Sequence, residues 1–190
     1  MKQKIQIRCK NNKKSQKVEI GSTLFDVFSS FDLKMTHGPV SARVNNKVEG
    51  MHYRVYNSKD VEFLDMTSAS GSRAYTRTLF FVLCKAVQDI YPNTDVVIDI
   101  PVSNGFYVDI RLGRPVVDED VNILRRRMQE IIDSKMPIRR FTVPTEEAVA
   151  LFQEKGDVEK VKLLKTSGSI YTTYYKIGEY VDYYYGTLLT

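Results

Sequence analysis

"KIQIRCKNNKKSQKVEIGSTLFDVFSSF", Lys4 to Phe31, changes its hydrophobic period once, and that change decides the fold. In its first half Ile5, Ile7 and Cys9 alternate with Lys4, Gln6, Arg8 and Lys10, the period of a half-buried strand. "NNKK" supplies turn residues and "QKVEI" resumes the alternation, which completes a hairpin. From Gly21 the period lengthens. Thr23 is placed to cap a helix with Asp26 three residues later, and Leu24, Phe25, Val27, Phe28 and Phe31 make its apolar stripe.

Outward from the hairpin, "VSARVNNKVEG" (Val40–Gly50) reads as strand, turn and short strand, and "KDVEFLD" (Lys59–Asp65) as a further strand. These elements make a small sheet packed on one helix and close a first domain over residues 1–66. "TSASGS" (Thr67–Ser72) has the composition of a small-residue linker. A second domain, 73–190, opens with a helix running from about Ser72 to Tyr91, halted by Pro92, with Leu79, Leu83, Ala86, Val87 and Ile90 at helical spacing. "VVIDIPV" and "FYVDIRL" are strands around a turn at "SNG" (Ser103–Gly105). Asp118–Lys135 is a helix with Val121, Leu124, Met128 and Ile131 inward, its Arg125–Arg127 run mainly solvated. "IRRFTV" is a strand, Thr145 caps "EEAVALFQEK" up to Gly156, "DVEKVKLLK" is a short helix, and the tail returns to strand. Helices and strands without regular alternation predict an α+β protein.

The 190 residues are 43% hydrophobic and 27% charged, as in ordinary globular domains. No apolar run approaches the roughly 18 residues of a membrane span, and the N-terminus lacks a signal peptide's unbroken apolar core. Cys9 and Cys84 have no CxxC partner, so reduced thiols and a cytoplasmic location are expected. No Walker A loop and no G-x-G-x-x-G occurs. His37 and His52 are the only histidines, too few and too scattered for a zinc site, so neither metal nor cofactor is expected. Charge is uneven: residues 1–20 carry seven Lys or Arg against Glu19 alone. Lys4, Arg8, Lys10, Lys13 and Lys14 form a candidate basic patch that would attract phosphates. A solvated face or a guarded edge strand accounts for the same residues.

The tail "EYVDYYYGTLL" (Glu179–Leu189) is the other unusual stretch, since seven of the twelve tyrosines fall between Tyr171 and Tyr185. Three stretches, "VEIGSTLFDV", "VSARVNNKVEG" and "KDVEFLD", resemble a TGS domain, the ubiquitin-like β-grasp module. From Arg73 onward "LCKAVQDIYP", "PVSNGFYVDI", "VDEDVNILRRRMQEII", "FQEKGDVEKVKLL" and "EYVDYYYG" are similar to the second additional domain of threonyl-tRNA synthetase, its N-terminal editing domain. That family builds a hydrolytic pocket from H-x-x-x-H on a helix and V-D-x-C-x-G-x-H on a later strand. The resemblance puts the helix histidines at Arg77 and Phe81, the cysteine at Tyr184 and the last histidine at Leu188. Only the family's lysine, at Lys160, and aspartate, at Asp182, survive. Without the His and Cys groups the acid–base chemistry of ester hydrolysis has no carrier, so no catalytic residue is expected.

The same pairing of modules is similar to the N-terminal half of bacterial nucleoside kinases of the uridine kinase type, the match being close in "VNNKVEG", "NSKDVEFLD", "VKLLKTSGS" and "VDYYYGTLL". That resemblance implies a non-catalytic binding or regulatory region, cut short at its C-terminal end, whose partner is a P-loop kinase domain of the same polypeptide. The alternative is an RNA- or tRNA-binding N-terminal region of a threonyl-tRNA synthetase-related protein. On either reading Arg77, Phe81, Tyr107 and Tyr184 wall a degenerate pocket, with Lys160 and Asp182 at its polar end. Arginine among aromatic rings suits a nucleotide or RNA base, and bulky side chains that simply fill the pocket are the competing expectation.

Overall fold

The computed structural model describes residues 3–103 and 105–189. Asn104 of the expected turn and Lys2 of the basic run lie outside them. The chain is α+β and sorts into two compact units, Met1–Thr78 with Tyr185–Thr190, and Leu79–Tyr184.

In the first unit the expected hairpin is β1 (Lys4–Cys9) against β2 (Ser15–Glu19), in antiparallel register with Ile5 opposite Val18. Helix α1 (Leu24–Ser30) begins in a reciprocal capping box. The Asp26 backbone N–H donates to Thr23 Oγ1 at 3.2 Å, and the Thr23 N–H to Asp26 Oδ2 at 2.8 Å. Strands β3 (Ser41–Val44), β4 (Lys47–Glu49) and β5 (Lys59–Leu64) complete a five-stranded sheet in the order β2-β1-β5-β3-β4, with β1 and β5 parallel at its centre. Ile7, Cys9, Leu24, Val27, Val61 and Phe63 form the core between sheet and helix.

The "TSASGS" stretch is not a linker. Helix α2 starts at Ala69 and runs to Ile90. Asp65 organises its entry: the Thr67 N–H donates to Asp65 Oδ1 at 2.9 Å and the Ser68 hydroxyl to the Asp65 carbonyl at 2.8 Å. The Ser68 hydroxyl in turn accepts the Gly71 N–H at 3.0 Å, as an N-cap does. A Cβ on Gly71 would lie 1.9 Å from the Asp65 carbonyl oxygen. Small residues stand here because the backbone crosses close, not because the chain is loose.

Residues 185–189 also depart from expectation, since they group with the first unit. Arg77 Nη2 donates to the Thr187 carbonyl at 3.0 Å, the Leu189 N–H to Thr78 Oγ1 at 2.8 Å and Thr187 Oγ1 to the Val48 carbonyl at 3.3 Å. Gly186 has φ +107°, and a Cβ there would meet Arg77 Cζ at 2.9 Å, so no other residue fits without displacement.

In the second unit β6 (Val96–Val102) and β7 (Gly105–Ile110) form a two-stranded hairpin. Helix α3 (Asp118–Asp133) follows, then β8 (Arg139–Pro144), α4 (Thr145–Glu154), α5 (Val158–Thr166), β9 (Tyr171–Ile177) and β10 (Tyr180–Tyr183). The last three strands form a sheet in the order β10-β9-β8. Helices α4 and α5 cover one face of it, with Ala148, Phe152 and Leu164 against Val143, Tyr174, Val181 and Tyr183. The start of α3 is pinned by one carboxylate. Arg114 donates to both oxygens of Asp120, 2.7 Å each, Tyr91 adds its hydroxyl at 2.7 Å and Val117 its N–H at 2.9 Å. These bonds, those from Arg114 foremost, hold the Asp120 carboxyl well below its ordinary pKa. Of the residues expected inward on α3, Leu124 and Ile131 are buried, whereas Val121 is 46% exposed. Arg127 is not simply solvated, because it donates to Asp89 from Nε and Nη2 and to Glu130 from Nη1.

Candidate functional site

Antiparallel register sets Asp182 opposite Tyr175 and Tyr180 opposite Ile177, so these four share one face of the sheet. Phe81 of α2 inserts against that face. Its ring is fully buried, with centroids 5.2 Å from Tyr180, 5.8 Å from Tyr184 and 6.4 Å from Tyr175. Edge-on ring contacts at these separations are favourable packing. Where the resemblance implied a pocket wall, the structure packs Phe81 against three tyrosine rings.

Every polar group around the cluster is engaged. Asp182 Oδ2 accepts the Tyr180 hydroxyl at 2.8 Å, and Oδ1 accepts the Tyr183 N–H at 2.7 Å and pairs with Lys160 Nζ at 2.8 Å. Lys160 also reaches Asp157 Oδ2 at 2.7 Å and lies 5.8 Å from the centre of the Phe152 ring. Burial opposes the Lys160 charge, yet Asp182 and Asp157 outweigh it and hold its pKa above the ordinary lysine value. Burial, then the charge on Asp182, pushes the Cys84 thiol up to about 11. Tyr180 and Tyr184 are raised far beyond ordinary phenols, burial again being the main cause. At neutral pH the thiol and both phenols are protonated, and Asp182 already accepts three donors. Protonated, the Cys84 thiol and the two phenols are neither bases nor anionic nucleophiles.

Phe81, Tyr184, Lys160 and Asp182 thus stand in one connected group through Tyr180. Arg77, one turn before Phe81 on α2, donates to the Thr187 carbonyl from Nε and Nη2. Leu188 lies buried in the first unit. Tyr107 is 60% exposed on β7, while its neighbour Phe106 makes the ring contact to Phe80. Three members of the cluster were missed, Tyr175, Cys84 and Tyr180, and the last two had a readable signal. Cys84 stands three residues after Phe81 on α2, hence on the same helix face. Tyr180 stands two before Asp182 on β10, hence on the same strand face.

The candidate basic residues lie on exposed positions of the hairpin, some facing acidic residues across the sheet. Lys4, Arg8, Lys10, Lys13 and Lys14 are all exposed. Register sets Lys4 opposite Glu19 and Arg8 opposite Asp60. Lys13 and Lys14, in the β1–β2 turn, have no such acidic neighbour across a strand, and Lys17 stands opposite Gln6. The uncompensated charge sits at the hairpin's turn and outer strand. Among the described residues, no group of three His, Cys, Asp or Glu side chains is placed to hold a metal ion, and no helix is long and apolar enough to cross a membrane.

Curated relatives of the chain are threonine–tRNA ligases. It is 29% identical over 163 residues to that of Acetivibrio thermocellus, covering 85% of this chain and 26% of the relative. Against the Clostridium kluyveri ligase it is 29% identical over 180 residues, 94% of this chain and 28% of the relative. Against that of Clostridioides difficile it is 29% identical over 161 residues, 84% and 25%. The chain thus spans about a quarter of the length of the relatives it matches. No family model matches it.

Proposed function

We propose that the chain is a non-hydrolytic, RNA-binding counterpart of the N-terminal region of threonyl-tRNA synthetase. The first unit is its β-grasp, TGS-like module, on the strength of the β2-β1-β5-β3-β4 order with a parallel central pair. The second is an editing-like module. The observation that carries the reading is the buried Phe81 ring among Tyr175, Tyr180 and Tyr184, in the place where the resembling family keeps its reacting groups. Likeness to tRNA ligases across most of the chain supports RNA as the partner, and Lys13, Lys14 and Lys17 supply the phosphate contacts.

Mobility shift with tRNA at low salt tests the binding. Replacing Lys13, Lys14 and Lys17 together by Ala lowers affinity about tenfold and flattens its salt dependence. Absence of binding at low salt ends the proposal. In a deacylation assay on mischarged tRNA the chain shows no turnover above background. Turnover that Lys160→Ala abolishes would restore a hydrolase.

A second reading keeps the same two modules and makes them the regulatory partner of a P-loop nucleoside kinase domain. It rests on "VNNKVEG", "VKLLKTSGS" and "VDYYYGTLL". The reading frame that encodes the chain separates the two, by whether a GxxxxGK[ST] loop or a synthetase core continues it.

A further inference from the structure

The second unit has a groove of about 490 Å³, and none of the aromatic-cluster residues lines it. Helix α2 contributes Leu83, strand β7 Val108 and Ile110, and helix α3 Leu124, Met128 and Ile132. Arg125 and Gln129 are its only polar lining residues, and no acidic side chain lines it. The volume lies in the usual range of small-molecule sites, roughly 300–1,000 Å³. Protein interiors are otherwise filled to crystal-like density. Here Val116, Val121 and Ile132 stay 41%, 46% and 50% exposed along the rim.

The charge at the rim is what selects an occupant. Arg114 is tied to Asp120, and Arg127 to Asp89 and Glu130. Arg125, on α3 two residues before Arg127, has no acidic partner among the described residues. Gln129 donates through Nε2 to Asp133 at 2.9 Å, which leaves its carbonyl oxygen as a further acceptor. A guanidinium without a counter-ion beside an apolar trough matches one chemistry: an apolar body ending in a carboxylate-like head.

We propose that this groove binds a small amphipathic anion, its apolar body between α2, β7 and α3 and its anionic head on Arg125. The inference does not depend on RNA binding, which uses the first unit. Titration calorimetry on the intact chain with decanoate, and with the uncharged decanol as its partner probe, tests it. Decanoate binds at one site per chain. Arg125→Gln weakens decanoate about tenfold and leaves decanol unchanged. Val121→Phe, at the exposed rim, fills the groove and abolishes both, with the unfolding midpoint of each variant checked against the parent. Three results overturn the proposal: no saturable heat with decanoate, an Arg125→Gln variant that loses both probes equally, or a chain dimer that Val121→Asp dissociates. The last would make the groove an interface between copies.

Discussion

Phe81 and Leu83 lie two residues apart on α2, about 200° apart around the helix, and border two opposite situations. On the Phe81 side the ring packs against Tyr175, Tyr180 and Tyr184, and Asp182 beside them pairs with Lys160 and accepts the Tyr180 hydroxyl. On the Leu83 side an apolar trough is open, and Arg125 at its rim has no acidic partner among the described residues. The first side carries Phe81 and Tyr184, which the resemblance singled out, and Phe81 there is fully buried. The second corresponds to no motif, and it keeps the space and free charge that binding requires. Position within a familiar pattern and capacity for chemistry have come apart in one helix.

Truncation on the two sides should therefore cost different amounts. Phe81→Ala opens a cavity inside the closed cluster and lowers unfolding free energy by about 4 kcal/mol in urea titration. A loss below about 1 kcal/mol would show that the cluster is not packed as described. Next comes Lys160→Met, which leaves Asp182 buried against an apolar group. About 2 kcal/mol is expected, less than for a fully buried pair because Lys160 is about a third exposed. Its pH dependence has a definite sign. The folded pKa is raised, so this stabilisation is complete below the ordinary value of 10.5 and is lost as pH rises through the folded value. The difference between parent and variant should therefore shrink in alkaline unfolding experiments and persist at pH 7. Leu83→Ala already borders open space and costs about 1 kcal/mol or less. If it equals Phe81→Ala, the contrast between the two sides fails. The smallest effect is at Cys84, whose thiol is raised to about 11. In a Cys9→Ser background the native chain stays unlabelled by a disulfide reagent at pH 8, and denaturant exposes the thiol.

Much of this was legible in the residues because period and chemistry are local. The switch from alternation to a helical stripe at Gly21 placed β1, β2 and α1. Registering "KAVQDIYP" and "YVD" on the resembling family pointed to Phe81, Tyr184 and Asp182, and its lysine motif to Lys160. What failed was non-local. "TSASGS" has a linker's composition, yet it is small because the Asp65 carbonyl passes 1.9 Å from where a Gly71 Cβ would stand. Arg77 was assigned to the pocket by motif spacing, and nothing in that spacing announced that its guanidinium donates to the Thr187 carbonyl. The groove had no signal at all. Val121, Met128 and Ile132 show ordinary helical spacing, and periodicity tells which face is apolar without telling whether anything fills the space before it.

Asp120 gives α3 a further property. Because its folded pKa is depressed, its contribution is complete above the ordinary carboxylate value of 3.8 and is withdrawn as pH falls towards the folded one. Protonation replaces an acceptor of four hydrogen bonds with a neutral acid, at the end of the helix that forms one bank of the groove. Below pH 3.8, amide hydrogen exchange should quicken in the first turns of α3 before it does around Phe81. Acid is then a tool that unfastens one bank of the trough while leaving the aromatic cluster standing, with no residue changed.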